Sequence, residues 1–81
     1  MKLPRDISGE ELATLLQKHG YKVTRQTGSH MRLSITRGGE YHTTIPRHKP
    51  LRVGTLNAIL KDVAEHLKLD RDALIKSLLE Q

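Results

Sequence analysis

The 81-residue sequence has no cysteine, and of Phe, Trp and Tyr it has only Tyr21 and Tyr41. Without cysteine there is no disulfide framework and no thiolate metal site, a composition typical of a reducing cytoplasm, where we expect the protein to act. The core has to be built from Leu, Ile and Val. With two tyrosines, the sequence offers few aromatic side chains on which single-stranded bases could stack.

Long apolar runs are also missing. No stretch approaches the roughly 20 residues that a membrane-spanning helix needs, and residues 1–6 lack the apolar segment of a signal peptide. A chain of this length buries only roughly 60% of its unfolded surface. We therefore predict a soluble protein with a single domain over residues 1–81.

Acidic residues are scarce in the middle of the chain. Between residues 18 and 61 nine Lys and Arg residues stand against one acid, Glu40, a net charge of +8, whereas the whole chain carries +5. Charge concentrated in this way attracts a polyanion such as nucleic acid, or an acidic partner protein. The same pattern also fits a well-solvated surface on a small basic domain.

The N-terminal pattern predicts a helix over residues 8–19. Ser8 and Glu11 have the spacing of a capping box, leucines then recur at helical spacing, and Gly20 suits the left-handed position that ends a helix. An imidazolium at His19 would suit the negative end of the helix dipole. After Gly20 the pattern alternates, which predicts three short strands.

Side-chain parity predicts the register of these strands. Pairing Ile35 with Tyr41 needs a three-residue loop at 37–39, with an extra residue or bulge there, because a two-residue turn would set Ile35 against His42. The same logic pairs Val23 with Leu33, and Tyr21 with Ile35. The outward face of the sheet is then wholly polar and carries Lys22, Thr24, Gln26, His30, Arg32, Ser34, His42 and Thr44.

Two further helices are predicted after a basic loop at residues 47–52. One starts near Val53 or Gly54, covers the sheet with an apolar stripe (Leu56, Ile59, Leu60, Val63 and Leu67) and leaves His66 on a solvated face. Asp70 and Asp72 predict the start of a short last helix that packs through Ala73, Leu74 and Leu78. The order helix, three-stranded antiparallel meander, helix predicts an α+β sandwich of two layers, as in the double-stranded-RNA-binding fold.

Several motifs together resemble the HicA toxins of bacterial and archaeal toxin–antitoxin pairs. They are Gly20-Tyr21, the run from Arg25 to His30, Ile45-Pro46-Arg47-His48, and Val53-Gly54-Thr55-Leu56 with Ile59-Leu60; the most specific are Gly28-Ser29-His30 and the Gly-Thr-Leu helix start. The resemblance covers nearly the whole chain. It implies a ribosome-independent mRNA interferase that needs no metal or other cofactor, is neutralised by a HicB antitoxin and has His30 as its catalytic histidine.

One histidine is enough for modest RNA cleavage. An imidazole can take the proton of a 2′-OH or give one to the departing 5′-oxygen at neutral pH, which contributes roughly 10² to 10⁴ in rate. Nearby cations would stabilise the charge that builds on the phosphorane. Arg32, on the same strand and face as His30, is the first candidate, followed by Lys22 and Lys49. The residues that we expect to bind RNA are Lys22, Arg25, Arg32, Arg47, Lys49 and Arg52.

The neighbours of His30 allow other interpretations. Gly28 permits a positive φ and the Ser29 hydroxyl can bond to local backbone, so both are expected to support the histidine structurally. A nucleophilic serine would need a base and a carboxylate, and the sheet face offers no carboxylate. His42, opposite Ser34, is too far along the sheet to share a metal ion with His30 and fits an exposed polar residue. His48 either approaches substrate or is simply exposed.

Two functions from different classes remain open. The first is the endoribonuclease. The second is a non-catalytic basic RNA- or protein-binding module of the same fold, in which His30 only packs or donates a hydrogen bond. Binding of double-stranded RNA is disfavoured because the last helices are acidic.

Overall fold

The computed structural model describes residues 6–79. It contains α1 (Gly9–Leu16), a 3₁₀ turn (Gln17–His19), β1 (Lys22–Thr27), β2 (His30–Ile35), β3 (Tyr41–Pro46), α2 (Val53–Leu67) and α3 (Arg71–Leu79). The strands form one antiparallel sheet in the order β1-β2-β3, which confirms the predicted α+β layout. Most of the N-terminal stretch searched for a signal peptide, residues 1–5, lies outside the described residues.

The start and end of the first helical segment follow from its sequence. Ser8 Oγ accepts a hydrogen bond from the Glu11 N–H at 3.0 Å, and Glu11 Oε1 accepts one from the Ser8 N–H at 3.1 Å, so the capping box is complete. These bonds favour the carboxylate and lower the pKa of Glu11. Gly20 ends the 3₁₀ turn with φ 99°, in the left-handed region.

The core lies between the sheet and the helices. All but one of the fully buried large side chains are aliphatic, as the composition requires; they are Leu12, Leu16, Tyr21, Leu33, Ile35, Ile45, Leu60, Val63, Leu74, Ile75 and Leu78. On the other side of the sheet His30, Arg32 and Thr44 are exposed. The core therefore positions an open polar sheet face away from the helices.

The register of the second hairpin was predicted correctly, whereas that of the first holds only up to Val23. Ile35 faces Tyr41 and the turn at 37–39 carries no bulge. The irregularity lies in β1, where Val23 faces Leu33 as predicted but Arg25 faces Arg32. If the register of Val23 and Leu33 continued without this bulge, residue 27 would pair with residue 29 and Gly28 alone would join the strands. One residue cannot close a hairpin, so the bulge is required.

The bulge exchanges the faces of the residues that follow it. Arg25 joins the polar face opposite Arg32, and Gln26 lies opposite the buried Met31 instead of on the polar face. The predicted pairing of Tyr21 with Ile35 would continue the register of Lys22 with Ser34 and Val23 with Leu33, but β1 begins at Lys22, so Tyr21 precedes the ladder.

Two expectations about the helices need correction in α3 and α2. α3 buries Leu74, Ile75 and Leu78, whereas Ala73, which was predicted to pack, is exposed. The predicted cap of α3 is confirmed, since Asp70 Oδ1 accepts from the Ala73 N–H at 2.7 Å. His66 does not lie on a solvated face. Its ring stacks on Tyr41 with 4.7 Å between centroids, and its Nε2 donates to the Arg37 carbonyl at 2.9 Å.

His19 donates a hydrogen bond, and its surroundings disfavour the predicted imidazolium. Its Nε2 lies 2.8 Å from Ser77 Oγ, and the Ser77 hydroxyl donates its own proton to the Leu74 carbonyl, so His19 must donate. Burial, followed by the charges of Arg37 and Lys18, lowers the pKa of His19. Desolvation of the ring disfavours its charged form.

Candidate active site

His30 stands at the first position of β2, directly after a two-residue turn. Gly28 adopts φ 51° in that turn, a conformation that a side chain would strain even though the space around it is open. Ser29 Oγ lies 3.3 Å from His30 Nδ1, and the His30 side chain is exposed. With Nδ1 beside Ser29, the ring presents Nε2 to a ligand on the open face.

The strands bring two arginines together beside this histidine. Arg32 lies two residues further along β2, on the same face as His30, and Arg25 lies directly opposite Arg32. Lys22 is opposite Ser34, one row beyond. The cation directly opposite Arg32 is therefore Arg25 rather than Lys22, because the β1 bulge moves Arg25 onto this face.

The basic loop at 47–52 is anchored close to the same turn. The Arg47 N–H donates to the Ser29 carbonyl at 2.6 Å, the Gly9 N–H donates to the His48 carbonyl at 3.0 Å, and the Leu51 N–H donates to the Ile7 carbonyl at 2.9 Å. A side chain at position 9 would overlap the Pro46 carbonyl oxygen. The N-terminus of α1 thus holds the loop beside His30.

The cations of this loop differ in their surroundings. The Arg47 guanidinium donates to Glu10 Oε1 through Nε and Nη2, at 3.3 and 3.1 Å, and so points toward α1. Lys49 and His48 are exposed. Arg52 is the N-cap of α2 in extended conformation. Arg47 is thus a predicted RNA-binding residue whose charge is already engaged in an ion pair, with Glu10.

A cluster of hydrogen-bonded side chains on the same sheet face was missed by the sequence reasoning. Ser34 Oγ lies 2.6 Å from His42 Nδ1, and Glu40 Oε1 lies 3.2 Å from His42 Nε2. The expectation that the face offers no carboxylate is wrong, although Glu40 lies beside His42 and not beside Ser29. The alternation of side chains along a strand could have predicted this cluster, because residues 40 and 42 are two apart and so share a face, and Ser34 lies opposite His42.

A groove of about 540 Å³ runs along the β3 edge and connects the two histidines. His30 and His42 border it on the sheet side, and Thr55 and Asp62 border it from α2. Within residues 6–79, no three His, Cys, Asp or Glu side chains are grouped so that they could hold a metal ion.

The comparison with known families decides the class of this protein. The model of the HicA toxin family of bacterial toxin–antitoxin systems matches residues 9–64. The chain belongs to the HicA toxin family. The HicA match extends from α1 through the sheet into α2 and includes His30, the basic loop and His42, so that this chain is a toxin of a toxin–antitoxin system.

Neither the search of curated proteins nor that of solved structures gave a significant match. Within the part of the chain that the structure describes, no helix is long and apolar enough to cross a membrane.

Proposed function

We propose that this HicA-family toxin is an endoribonuclease that cleaves mRNA without a metal or other cofactor, with His30 as its catalytic residue. The observation that carries the proposal is the placement of His30. Its exposed ring stands at a strand start between a turn that orients one nitrogen and a pair of arginines on the same face.

The reaction needs two proton transfers at one phosphodiester. In the proposed step His30 takes the proton of the 2′-OH as the 2′-oxygen bonds to phosphorus, and the bond to the 5′-oxygen then breaks. A proton must also reach the departing 5′-oxygen, from the protonated imidazole or from solvent. Arg32 and Arg25 face the same surface and would stabilise the charge that develops on the phosphorane oxygens.

The remaining cations are assigned to binding. Lys22 on the sheet, with Lys49 and Arg52 near the loop, would contact phosphates and position the RNA. Arg47 would join them by leaving Glu10, which is more than half exposed. Gly28 and Ser29 support the site by setting the turn and the orientation of the His30 ring.

The partner that we propose is a HicB-like antitoxin. A protein that neutralises this site has to cover a cationic sheet face, so an acidic surface on the antitoxin is favoured. Because mRNA is the proposed substrate, we place the activity in the cytoplasm.

The decisive experiment is cleavage of RNA by the purified chain, freed of antitoxin, with and without EDTA. We expect cleavage that resists EDTA, and its loss by about 100-fold or more in His30→Ala, the scale of a missing acid–base group. His48→Ala is the matched control, since it removes an exposed imidazole from the adjacent loop and is expected to leave the rate unchanged.

Folding of each variant is checked by circular dichroism and thermal unfolding. Cleavage by His30→Ala at the rate of the unmodified chain would show that His30 is not catalytic. An unmodified chain that binds RNA but never cuts it, with EDTA or without, would establish a non-catalytic RNA-binding module instead.

A further inference from the structure

A chain of hydrogen bonds crosses all three strands on the open face, one row away from Arg32. Thr24 Oγ1 donates to the Arg32 carbonyl at 3.4 Å and lies 2.8 Å from Ser34 Oγ. Ser34 Oγ lies 2.6 Å from His42 Nδ1, and Glu40 Oε1 lies 3.2 Å from His42 Nε2. The mechanism proposed for His30 uses none of these four side chains.

Counting protons shows which ring nitrogen of His42 must donate. A carboxylate only accepts, so Nε2 carries a proton whenever Glu40 is bound to it. If Thr24 donates to Arg32, Ser34 must donate to Thr24, and Nδ1 must then donate to Ser34. All four bonds are therefore made only by the imidazolium. Neutral His42 keeps the three shorter bonds by reversing the two hydroxyls, and it still donates from Nε2.

The partner on Nε2 is easily displaced, whereas the partner on Nδ1 is not. The Glu40 side chain is 75% exposed and that of His42 36% exposed, so little packing holds their ion pair together. Ser34 is half-buried within the sheet and bonds at the shorter distance. An incoming anion would thus replace Glu40 while the ring keeps its orientation.

The surrounding charges favour an anion at this place. Lys22 lies opposite Ser34 in the same row, Arg32 and Arg25 form the next row, and His30 stands in the row after that. Asp62, on α2 across the groove, is the acid that faces His42 besides Glu40. Glu40 is also the one acidic residue between positions 18 and 61.

We propose that His42 Nε2–H binds a backbone phosphate of the RNA, and that the Glu40 carboxylate occupies this phosphate position in the free toxin. The proposal rests on the proposed function only for the identity of the ligand. His42 would hold a phosphate next to the one at which the RNA is cleaved. Binding would strengthen as the pH falls, because the imidazolium is the form that makes every hydrogen bond and attracts the phosphate by its charge.

The test uses a 2′-O-methyl oligoribonucleotide, which has no 2′-OH and is not cleaved, so that binding is measured independently of catalysis. Its Kd is determined at pH 5.5 and 8.5 over a series of salt concentrations. The proteins are the unmodified chain, His42→Gln, Glu40→Gln, the double variant, and Glu65→Gln as a control that removes the same charge from an exposed position on α2. His30 is present in all of them, so its contribution to binding is common to every protein compared.

At pH 5.5 we expect His42→Gln to weaken binding about threefold to fivefold, the effect of one exposed ionic contact. It should also reduce the slope of log Kd against log salt by about 0.7, which corresponds to one phosphate contact on a single strand. At pH 8.5 both differences should shrink. Glu40→Gln should tighten binding more than Glu65→Gln does, but only while His42 is present. Inorganic phosphate added at the concentration of the oligonucleotide should not compete.

Equal affinity and equal salt slope of His42→Gln and the unmodified chain at pH 5.5 would overturn the proposal. So would a Glu40→Gln effect that is the same with and without His42, since that is a charge effect alone. Competition by equimolar inorganic phosphate would show a free-anion site rather than an RNA subsite. If the unmodified chain binds RNA with this pH dependence but does not cleave it, the nuclease function is refuted and the proposed phosphate subsite stands.

Discussion

Four of the five histidines differ in their hydrogen bonds and packing because their surroundings differ. His19 donates a hydrogen bond from the 3₁₀ turn to Ser77 on α3, and the His66 ring stacks on Tyr41. His42 is held at both nitrogens, whereas His30 has one nitrogen beside Ser29. In the free toxin His30 thus has a ring nitrogen open on the polar face, whereas both nitrogens of His42 are engaged.

A second residue of interest is Tyr21, which is 1% exposed. Its hydroxyl has no hydrogen-bond partner, alone among the buried side-chain polar atoms that the structure describes. Burial, together with Tyr41 and Asp62, raises the pKa of Tyr21 to about 12. The hydroxyl has therefore given up its contacts with water without gaining a partner in the protein.

We predict that Tyr21→Phe stabilises the chain by up to about 1 kcal/mol, because it removes a polar group whose desolvation is not compensated. Urea unfolding of the variant measures the difference. Tyr41→Phe is the matched control, since Tyr41 is only half-buried, and we expect little change from it. A loss of more than about 1 kcal/mol in Tyr21→Phe would mean that the hydroxyl has a partner after all.

Among the elements, the contact between α1 and the basic loop is the one that supports the candidate site. Gly9 opens α1 and lies against Pro46, at the end of β3. The same segment bonds to His48 and Leu51. Since Arg47 in turn bonds to Ser29, the helix start, the loop and the turn before His30 form one connected unit.

We predict that Gly9→Ala lowers the free energy of unfolding by about 1–3 kcal/mol, because the added methyl group overlaps a backbone carbonyl that has no room to move without displacing the loop. Gly54→Ala is the control. Nothing lies near a side chain at position 54 in α2, so this change should be neutral or stabilise by about 0.4–1 kcal/mol. Both values come from denaturant unfolding, and equal effects of the two substitutions would contradict the assignment.

For the whole molecule, His19 makes stability depend on pH. Its pKa in the folded state is lowered from the ordinary 6.5, chiefly by burial, so the unfolded chain binds a proton more readily than the folded one. The stability that neutral His19 contributes is fully present above pH 6.5, and it is lost as the pH falls through the lowered pKa. The contribution of Glu11, whose pKa is also lowered, is lost in a separate window below its ordinary 4.5.

We therefore predict that the free energy of unfolding decreases between pH 7.5 and 5.5, and that His19→Gln reduces this decrease while lowering stability at pH 7.5. His48→Gln, which changes an exposed imidazole, should leave the pH dependence as it is. The measurement is urea unfolding at the two pH values. An undiminished decrease in His19→Gln would show that another group titrates in this window.

Much of the fold could be predicted because its signals are local. The capping box at Ser8, the alternation of β2 and β3 and the stripe of α2 each depend on residues a few positions apart. The bulge in β1 could not be read in the same way, since it arises from the need to close a two-residue turn while Val23 stays opposite Leu33. The burial of Ile75 instead of Ala73 depends on where α3 meets the other helices.

The sequence by itself determined the class of the fold, because the periodicities that predict it are local, and its Gly-Ser-His and Gly-Thr-Leu motifs indicated the HicA family and pointed to His30. Only the tertiary structure decided which cations accompany that histidine and what its neighbours do. Arg25 reaches the site through a bulge, Arg47 turns to Glu10, and Glu40 bonds to His42. Side chains that are far apart in sequence, or shifted by one residue in register, become partners only when the strands and loops are placed in space.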